Sequence, residues 1–277
     1  MKRLCRVLGV SRAGYYAFVR RPQRGPDPMR QAKWDAVRQL AAESDHVYGS
    51  RRMARELGRL GFRVGRYQAR GLMREAAVWV RYRRRYRVTT TSAHSQPVFP
   101  NRLQRDFQVA APDRVWASDI SYVWTAEGWL YLAVVIDLYA RKVVGWSLGK
   151  RLTSALACDA LRMALWRRQP PRGQLLHHSD QGVQYASRPF RGLLQAYGMT
   201  GSMSRKGDCW DNAVVESFFG TLKSERVHWC SYQTREEARR DIVEYITMFY
   251  NGRRLHSSLD YRSPDDFEKN GHPANAA

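Results

Sequence analysis

The 277-residue sequence points to a layered α/β or α+β core behind a small, basic, all-helical region. Three observations lead there. Residues 1–100 hold 23 Lys and Arg against 6 Asp and Glu, and so carry +17 of the formal +22 charge. Short stretches of helical periodicity, broken by Pro and Gly, fill that region. After Pro112 the pattern changes to long β-rich apolar runs and then to alternating helices and strands. At roughly 150 residues per domain, the length fits about two domains.

The opening segment Leu4–Val19 is weakly helical, with Leu8, Tyr15 and Phe18 as apolar points, and three prolines between Arg20 and Pro28 break it. Residues 1–30 therefore read as a basic N-terminal segment. A helix is expected over 33–45. Ser50 is placed to cap the next one, where Met53, Ala54, Leu57 and Leu60 recur at helical spacing. Gly58 and Gly61 turn the chain, and Arg66–Ala77 fits a further helix through Tyr67, Leu72 and Met73. Arg-studded helices joined by Gly-containing turns over 31–87 have the form of a helix-turn-helix module that grips DNA. A helical packing domain with a solvated basic face is the plainer alternative. Arg81–Arg87 reads RYRRRYR, in which Arg83, Arg84 and Arg85 interleave with Tyr82 and Tyr86. That pattern suits phosphate contacts and ring stacking, or else a solvated charge run. Residues 88–112, with Pro97, Pro100 and Pro112, read as a linker.

The second part is expected over 113–268, with 269–277 as a tail. Val115–Trp124, Trp129–Ala140 and Lys142–Leu148 read as strands, the first two joined by a turn at Glu127-Gly128. A helix capped by Thr153 follows, with Ala157, Leu161, Ala164 and Leu165 on one face and Pro170-Pro171 at its end. Gln174–His178 is a short strand, Pro189–Tyr197 a helix, and Thr200–Ser204 another short strand. Asp211–Val227 is a helix with Val215, Phe218, Phe219 and Leu222 at i, i+3, i+4 and i+7. Thr234 and Glu237 form a capping box for a last helix through Ala238, Ile242, Tyr245, Ile246 and Phe249.

The charge balance and a pI near 10.4 argue against most acidic-surface enzymes and for a polyanionic partner, most simply nucleic acid. No apolar stretch reaches membrane-spanning length, and the N-terminus has no apolar signal-peptide region. The expectation is a reduced cytosol with Cys5, Cys158, Cys209 and Cys230 as free thiols.

Three acids stand where loose carboxylates are costly. Asp119 lies inside the first apolar strand, Asp180 ends a short strand, and Glu216 follows Val215 in a helix. A buried acid must be paired or coordinate metal. Hard oxygen ligands favour Mg²⁺ or Mn²⁺, and a pair of such ions clamps an in-line phosphoryl displacement. Taken singly, Asp119 reads as a structural hydrogen-bonding group and Glu216 as part of a solvated face. The set sharpens the reading: 60 residues separate Asp119 from Asp180, and 35 separate Asp180 from Glu216. His177 and His178 have no Cys or His partners at zinc spacing.

This D…D…E spacing resembles the transposase and retroviral integrase superfamily, whose core is RNase H-like. The segments WASDISYVWTAEGWLYLAVVIDLYARKVVGWSL, HHSDQGVQY, SRKGDCWDNAVVESFFGTLKSERVH and YNGRRLHSSLDYRSPDDF resemble the OrfB-type transposase of the insertion-sequence-three family, and HVYGSRRMARELGRLGFRVGRYQARGLMREA resembles its helix-turn-helix segment. The likeness covers roughly residues 1–268.

The resemblance implies a mixed sheet flanked by helices. It implies Asp119, Asp180 and Glu216 as ligands of two Mg²⁺, with Mn²⁺ as a substitute. The implied reaction is hydrolysis at the element's end to leave a 3′-OH, followed by strand transfer without a covalent protein–DNA bond. The implied partners are double-stranded DNA at element ends and target, further copies of the chain, and an upstream-frame protein joined by frameshifting. Lys223, two helical turns after Glu216, is implied as a DNA contact. Asn212 either binds DNA, orients the carboxylate or caps the helix. His178 either positions a phosphate or water or is a hydrogen-bonded histidine at a strand end. Asn251, Arg254 and His256 either help the fold or touch DNA. The alternative from another class is a regulatory or inactive copy that holds DNA without cutting it.

Overall fold

A computed structural model describes residues 1–20, 27–81, 98–205 and 209–271, with side chains from Asp211 onward in the last stretch. Arg83, Arg84 and Arg85, with Tyr82 and Tyr86 on either side, lie outside the described residues. The chain divides into two compact units, Met1–Val80 and Arg81–Ala277.

The first unit is all helical: α1 (Lys2–Val7), α2 (Arg12–Arg20), α3 (Pro28–Glu43), α4 (Ser50–Arg59) and α5 (Arg66–Glu75). Its core is Val37, Leu40 and Ala41 of α3 against Met53, Leu57, Ala69, Leu72, Met73 and Ala76. Helix α3 starts earlier than residue 33, because Pro28 supplies a preset φ at its first turn. Ser50 is the first helical residue rather than the cap, a place taken by Gly49. Glu75 ties α5 to α3, accepting from the Arg30 guanidinium at 2.7 Å and from the Trp34 indole at 2.9 Å. Helix α5 buries Ala69, Leu72 and Met73 and presents Arg66, Tyr67, Gln68, Arg70 and Arg74 to solvent.

The second unit is built on a five-stranded sheet in the order β3-β2-β1-β4-β5. Strands β1 (Val115–Thr125), β2 (Gly128–Asp137) and β3 (Lys142–Gly149) form an antiparallel meander, while β4 (Leu176–Ser179) runs parallel to β1 and β5 (Thr200–Met203) parallel to β4. Thr125 pairs with Gly128, so the hairpin turn is Ala126-Glu127, one residue earlier than expected. The sheet is covered on both faces, which is why β2 reads as an almost unbroken apolar run.

On one face, Trp116, Ala133, Val135 and Val144 meet α6 (Ser154–Arg168) and α8 (Arg188–Ala196). Thr153 caps α6 as expected, accepting from the Leu156 N–H, and Gln169 closes it in the left-handed region. Gly145 lets α6 approach closely: a Cβ there would stand 2.3 Å from the Ala160 carbonyl oxygen. On the other face, Ala117, Val123, Val134 and Ile136 meet Val215, Phe218 and Leu222 of α9 (Ala213–Glu225) and Ile242 of α10 (Arg235–Glu244). This is the mixed sheet flanked by helices that an RNase H-like core requires. Two short helices escape periodicity, α7 (Val183–Ala186) and α11 (Pro264–Asn270). A π-helical turn over Tyr245–Asn251 continues the helix expected to be the last.

Part of the expected linker belongs to the core. Leu103 is buried, Phe99 packs over Gly201, and the Arg102 N–H donates to Ser202 Oγ at 2.9 Å. The apolar residues of 98–109 bind this stretch to the sheet, which a reading from proline content missed. No helix among the described residues is long and apolar enough to cross a membrane.

Candidate active site

The β1–β4 ladder ends at Ser118 opposite Ser179. Asp119, inside β1, and Asp180, just after β4, are the next residues, so they lie side by side where the parallel ladder ends. Asp119 stands opposite Val134, whose side chain lies in the core facing α9. Directly opposed residues share a sheet face, so Asp119 points toward the helix that carries Glu216.

Electrostatics binds the three acids together. Burial, and then the Asp180 carboxylate, hold Asp119 well above the usual carboxylate range, and Glu216 adds to the push. Burial and Asp180 also raise Glu216. Lys223 and the Ile120 N–H act in the opposite direction on Asp119. Both acids accept from a backbone N–H: the Ile120 N–H gives to Asp119 Oδ1 at 2.7 Å, and the Gly182 N–H to Asp180 Oδ1 at 3.0 Å. A Cβ at Gly182 would meet that same oxygen at 2.9 Å, so any larger residue there would displace the Asp180 carboxylate. Among the described residues, no three His, Cys, Asp or Glu side chains form a closed metal-binding cluster. The three acids are coupled electrostatically without forming such a group.

The donor set fits a hard divalent cation. It consists of carboxylate oxygens, and two buried polar atoms beside it lack hydrogen-bond partners: Asn212 Oδ1 and the Tyr185 hydroxyl. Burial, followed by Asp119 and Asp180, pushes the Tyr185 phenol well up. Such unfilled valences mark a polar pocket with more to bind.

Asp137 is a useful contrast. This acid, unlike the three, is fully buried, and burial pushes it up to about 7. Yet both its oxygens are filled, by the Asp113 and Tyr139 N–H groups, and Arg168 stands 3.7 Å away. It is a structural carboxylate.

The expected DNA-contacting residues divide. Lys223 lies beside the acids, its ammonium 4.9 Å from the Tyr122 ring centroid, and burial lowers its pKa. His178 requires correction. It is fully buried and hydrogen-bonds with Ser202 Oγ at 2.9 Å and Ser204 Oγ at 3.2 Å, so it cannot reach DNA. Burial takes its pKa down to about 4. Neighbouring His177, held down to about 3 by burial, bonds with Ser118 Oγ at 2.8 Å. The two histidines stitch β4 to β5 and β1 just ahead of Asp180.

Asn212 is also turned inward. It makes no side-chain cap, and its amide donates to the Ser118 carbonyl at 3.2 Å. Of its three readings, the side-chain cap is the one the structure does not form. Asn251 and Arg254 serve the fold: the Asn251 amide bonds both the N–H and C=O of Val143, and Arg254 pairs with buried Glu225 at 2.6 Å. His256 is buried with its ring edge-on to Tyr250.

Sequence reasoning missed Tyr185 and Asp211. Asp211 is fully buried, held well below the carboxylate range first by the hydrogen bond from Arg205, and also bonded by Arg105 and Asn101. The neighbouring arginines were visible, but nothing local paired them with it.

Comparison with known proteins agrees with this architecture. The HTH-like domain family matches residues 29–86, and two integrase core domain families match residues 109–209 and 216–271. An insertion element IS600 31 kDa protein of Shigella sonnei is 42% identical over 97% of this chain and 98% of its own. The transposase InsF for insertion sequence IS3A of Escherichia coli is 41% identical over 97% of this chain and 93% of its own. Among solved structures, a chain of the simian T-cell lymphotropic virus intasome overlays 86% of this chain and 76% of its own. It does so with a TM-score of 0.50 at 16% identity, which shows a shared fold. With relatives matching end to end and both domain types present, the chain belongs to the insertion-sequence-three family of transposases, enzymes of the DDE type with an integrase catalytic core.

Proposed function

We propose that this transposase cuts and joins DNA at the ends of its own element, with Asp119, Asp180 and Glu216 as the acids that do the chemistry. One observation carries the reading: the carboxylates of Asp119 inside β1, Asp180 just after β4 and Glu216 on the facing helix are close enough that Asp180 pushes up both of the others and Glu216 pushes up Asp119. Repulsion of this kind is kept where charge is to be neutralised on loading. When bound, two Mg²⁺, or Mn²⁺ in their place, supply the charge that polarises the phosphodiester and the attacking oxygen.

The chain's own residues do the rest. Asp119 and Asp180 fix the cation position through rigid strand ends. Glu216 closes the site from the helix. Lys223 offers a cation to the phosphate beside them. Helix α5 presents Arg66, Gln68, Arg70 and Arg74 to duplex DNA. Double-stranded element ends and target are the partners in this reading, joined by further copies of the chain and by an upstream-frame protein fused through frameshifting. The bacterial cytosol is the compartment, in keeping with Cys5, Cys158 and Cys230 as free thiols.

The test is a joining assay with a labelled duplex carrying the element's terminal repeats. Asp119→Asn, Asp180→Asn and Glu216→Gln should each lower joining by about 10³-fold or more while DNA binding survives. Full joining by any one variant removes that residue from the site. Binding by the wild-type chain without nicking in Mg²⁺ or Mn²⁺ would favour the inactive, DNA-holding alternative.

A further inference from the structure

We propose that the groove between the β1–β2 hairpin and the end of α9 stacks an unpaired nucleobase of a DNA strand that passes the acids. The inference rests on the proposed reading of Asp119, Asp180 and Glu216, and it names the form of DNA end that the site takes. Strand register puts three aromatic rings on one face of the sheet: Tyr122 is two residues from Trp124, and Trp124 stands opposite Trp129. Tyr131, opposite Tyr122, packs on that face against the α6 and α8 core, yet Tyr122, Trp124 and Trp129 remain 39%, 60% and 42% exposed. They pack on one another all the same. Tyr122 and Trp124 stand nearly perpendicular to Trp129, at centroid distances of 4.9 and 4.8 Å. The backbone beneath them is anchored: the Arg235 guanidinium donates to the Trp129 carbonyl at 3.0 Å, and the Ala126 N–H to the Tyr232 carbonyl at 3.0 Å.

Lys223 joins this cluster to the acid site. Strand β4 pairs with β1 only as far as Ser118, and among the described residues no strand flanks that edge of β1 beyond it. Lys223 comes from α9, on the opposite face, and reaches past the open edge to set its ammonium 4.9 Å from the Tyr122 ring centroid. The three rings and Lys223 line one groove of about 490 Å³, with His228 and Gln233 also on its wall. Among the described residues no acidic side chain lines it, so a phosphodiester meets no like charge there. Its volume lies in the range of small-ligand sites. Flat exposed rings beside a cation complement a nucleotide, which offers a base face and a phosphate. Tyr122 is three residues past Asp119 on β1, about 10 Å along the strand. Stacked bases are about 3.4 Å apart, so the occupant lies within a few nucleotides of the cut. In an intact duplex both faces of a base are already stacked, and an unpaired base is the one with a face to give.

The experiment uses the full chain and two duplexes of equal length, one blunt and one with a short unpaired tip in which 2-aminopurine replaces a base. Trp124 is the most exposed of the three rings, so Trp124→Ala should leave the melting temperature unchanged. Wild type should prefer the frayed duplex and quench the 2-aminopurine fluorescence. Trp124→Ala should lose the quenching and bind the frayed duplex ~10-fold more weakly, with its affinity for the blunt duplex unchanged. Trp124→Phe keeps a ring and should retain most of both effects. Equal quenching and equal preference in wild type and Trp124→Ala overturn the inference. So does a loss of self-association by Trp124→Ala in sedimentation without DNA, with quenching intact, which would make the rings a contact between copies. Asp119→Asn separates the two levels: it should quench as wild type does and fail to join. If it joins normally, the reading of the acid site fails, whatever Trp124→Ala shows.

Discussion

At the residue scale, what distinguishes the candidate acids from the structural ones is partial exposure and electrostatic coupling to one another. Asp137 and Asp211 are more deeply buried than Asp180, yet each has its oxygens occupied by N–H groups or a guanidinium. Asp119 and Asp180 are less deeply buried, each accepts from a backbone N–H, and Asp180 pushes Asp119 up. Repulsion of that kind lowers stability. Asp180→Asn should therefore raise the unfolding free energy of the metal-free chain by about 0.5–2 kcal/mol while removing any stabilisation by Mg²⁺. Urea titration with and without Mg²⁺ checks both, and a destabilised metal-free variant would count against mutual repulsion.

Asp137 gives a pH signature. Its folded pKa, about 7, lies above its ordinary value, so the folded chain holds a proton that the unfolded chain has released. Its contribution is complete at low pH and declines as pH rises to 7, by about 1.4 kcal/mol per pH unit for one proton. Carbon-13 NMR of its carboxyl should show a midpoint near 7; a midpoint near 4 would show that its two N–H donors and Arg168 dominate burial. The sequence displayed the D…D…E spacing because spacing is a property of order along the chain. It could not display which histidine or asparagine turns inward. His178 and Asn212 are spent on serine hydroxyls and a backbone carbonyl supplied by strands far away in sequence.

At the scale of elements, α9, the helix that carries Glu216, is fixed at both ends. At its start, Asp211 receives Arg205, Arg105 and Asn101, and Asn212 reaches the Ser118 carbonyl. At its end, the Glu225 carboxylate accepts from Arg254 and from the Tyr245 hydroxyl at 2.8 Å, and its carbonyl accepts from Arg81 at 3.0 Å. Glu216 is carried between these anchors. Arg254→Leu leaves Glu225 buried without its cation and should cost about 3–5 kcal/mol. Adding Glu225→Leu should restore much of that loss. Denaturant melts of the single and double variants test this, and a loss under 1 kcal/mol for the single variant would show that α9 is not held there. Element existence was readable where periodicity ran long, as in α6, α9 and β1–β3. It was not readable for α7, one turn long, or for 98–109, whose apolar residues look like linker until a sheet is present to receive them.

At the scale of the whole molecule, charge and chemistry are divided between two units. The first holds helices with an arginine-bearing outer face on α5, and the second holds the acids. Arg66→Ala and Arg70→Ala should each weaken DNA binding and reduce the slope of log affinity against log salt by about 1. Fluorescence anisotropy over a salt series reads this, and unchanged slopes would make α5 a solvated face. Composition alone revealed this division, since net charge sums over segments without needing contacts. The arrangement of the acids required the fold, because a parallel β1–β4 pair is what sets Asp119 beside Asp180. The most direct measurement is anomalous diffraction at the manganese edge from crystals of the chain soaked in Mn²⁺. Density bracketed by the carboxylates of Asp119, Asp180 and Glu216 is the predicted result. Saturating Mn²⁺ with no density between them, or density held by other residues, would contradict it.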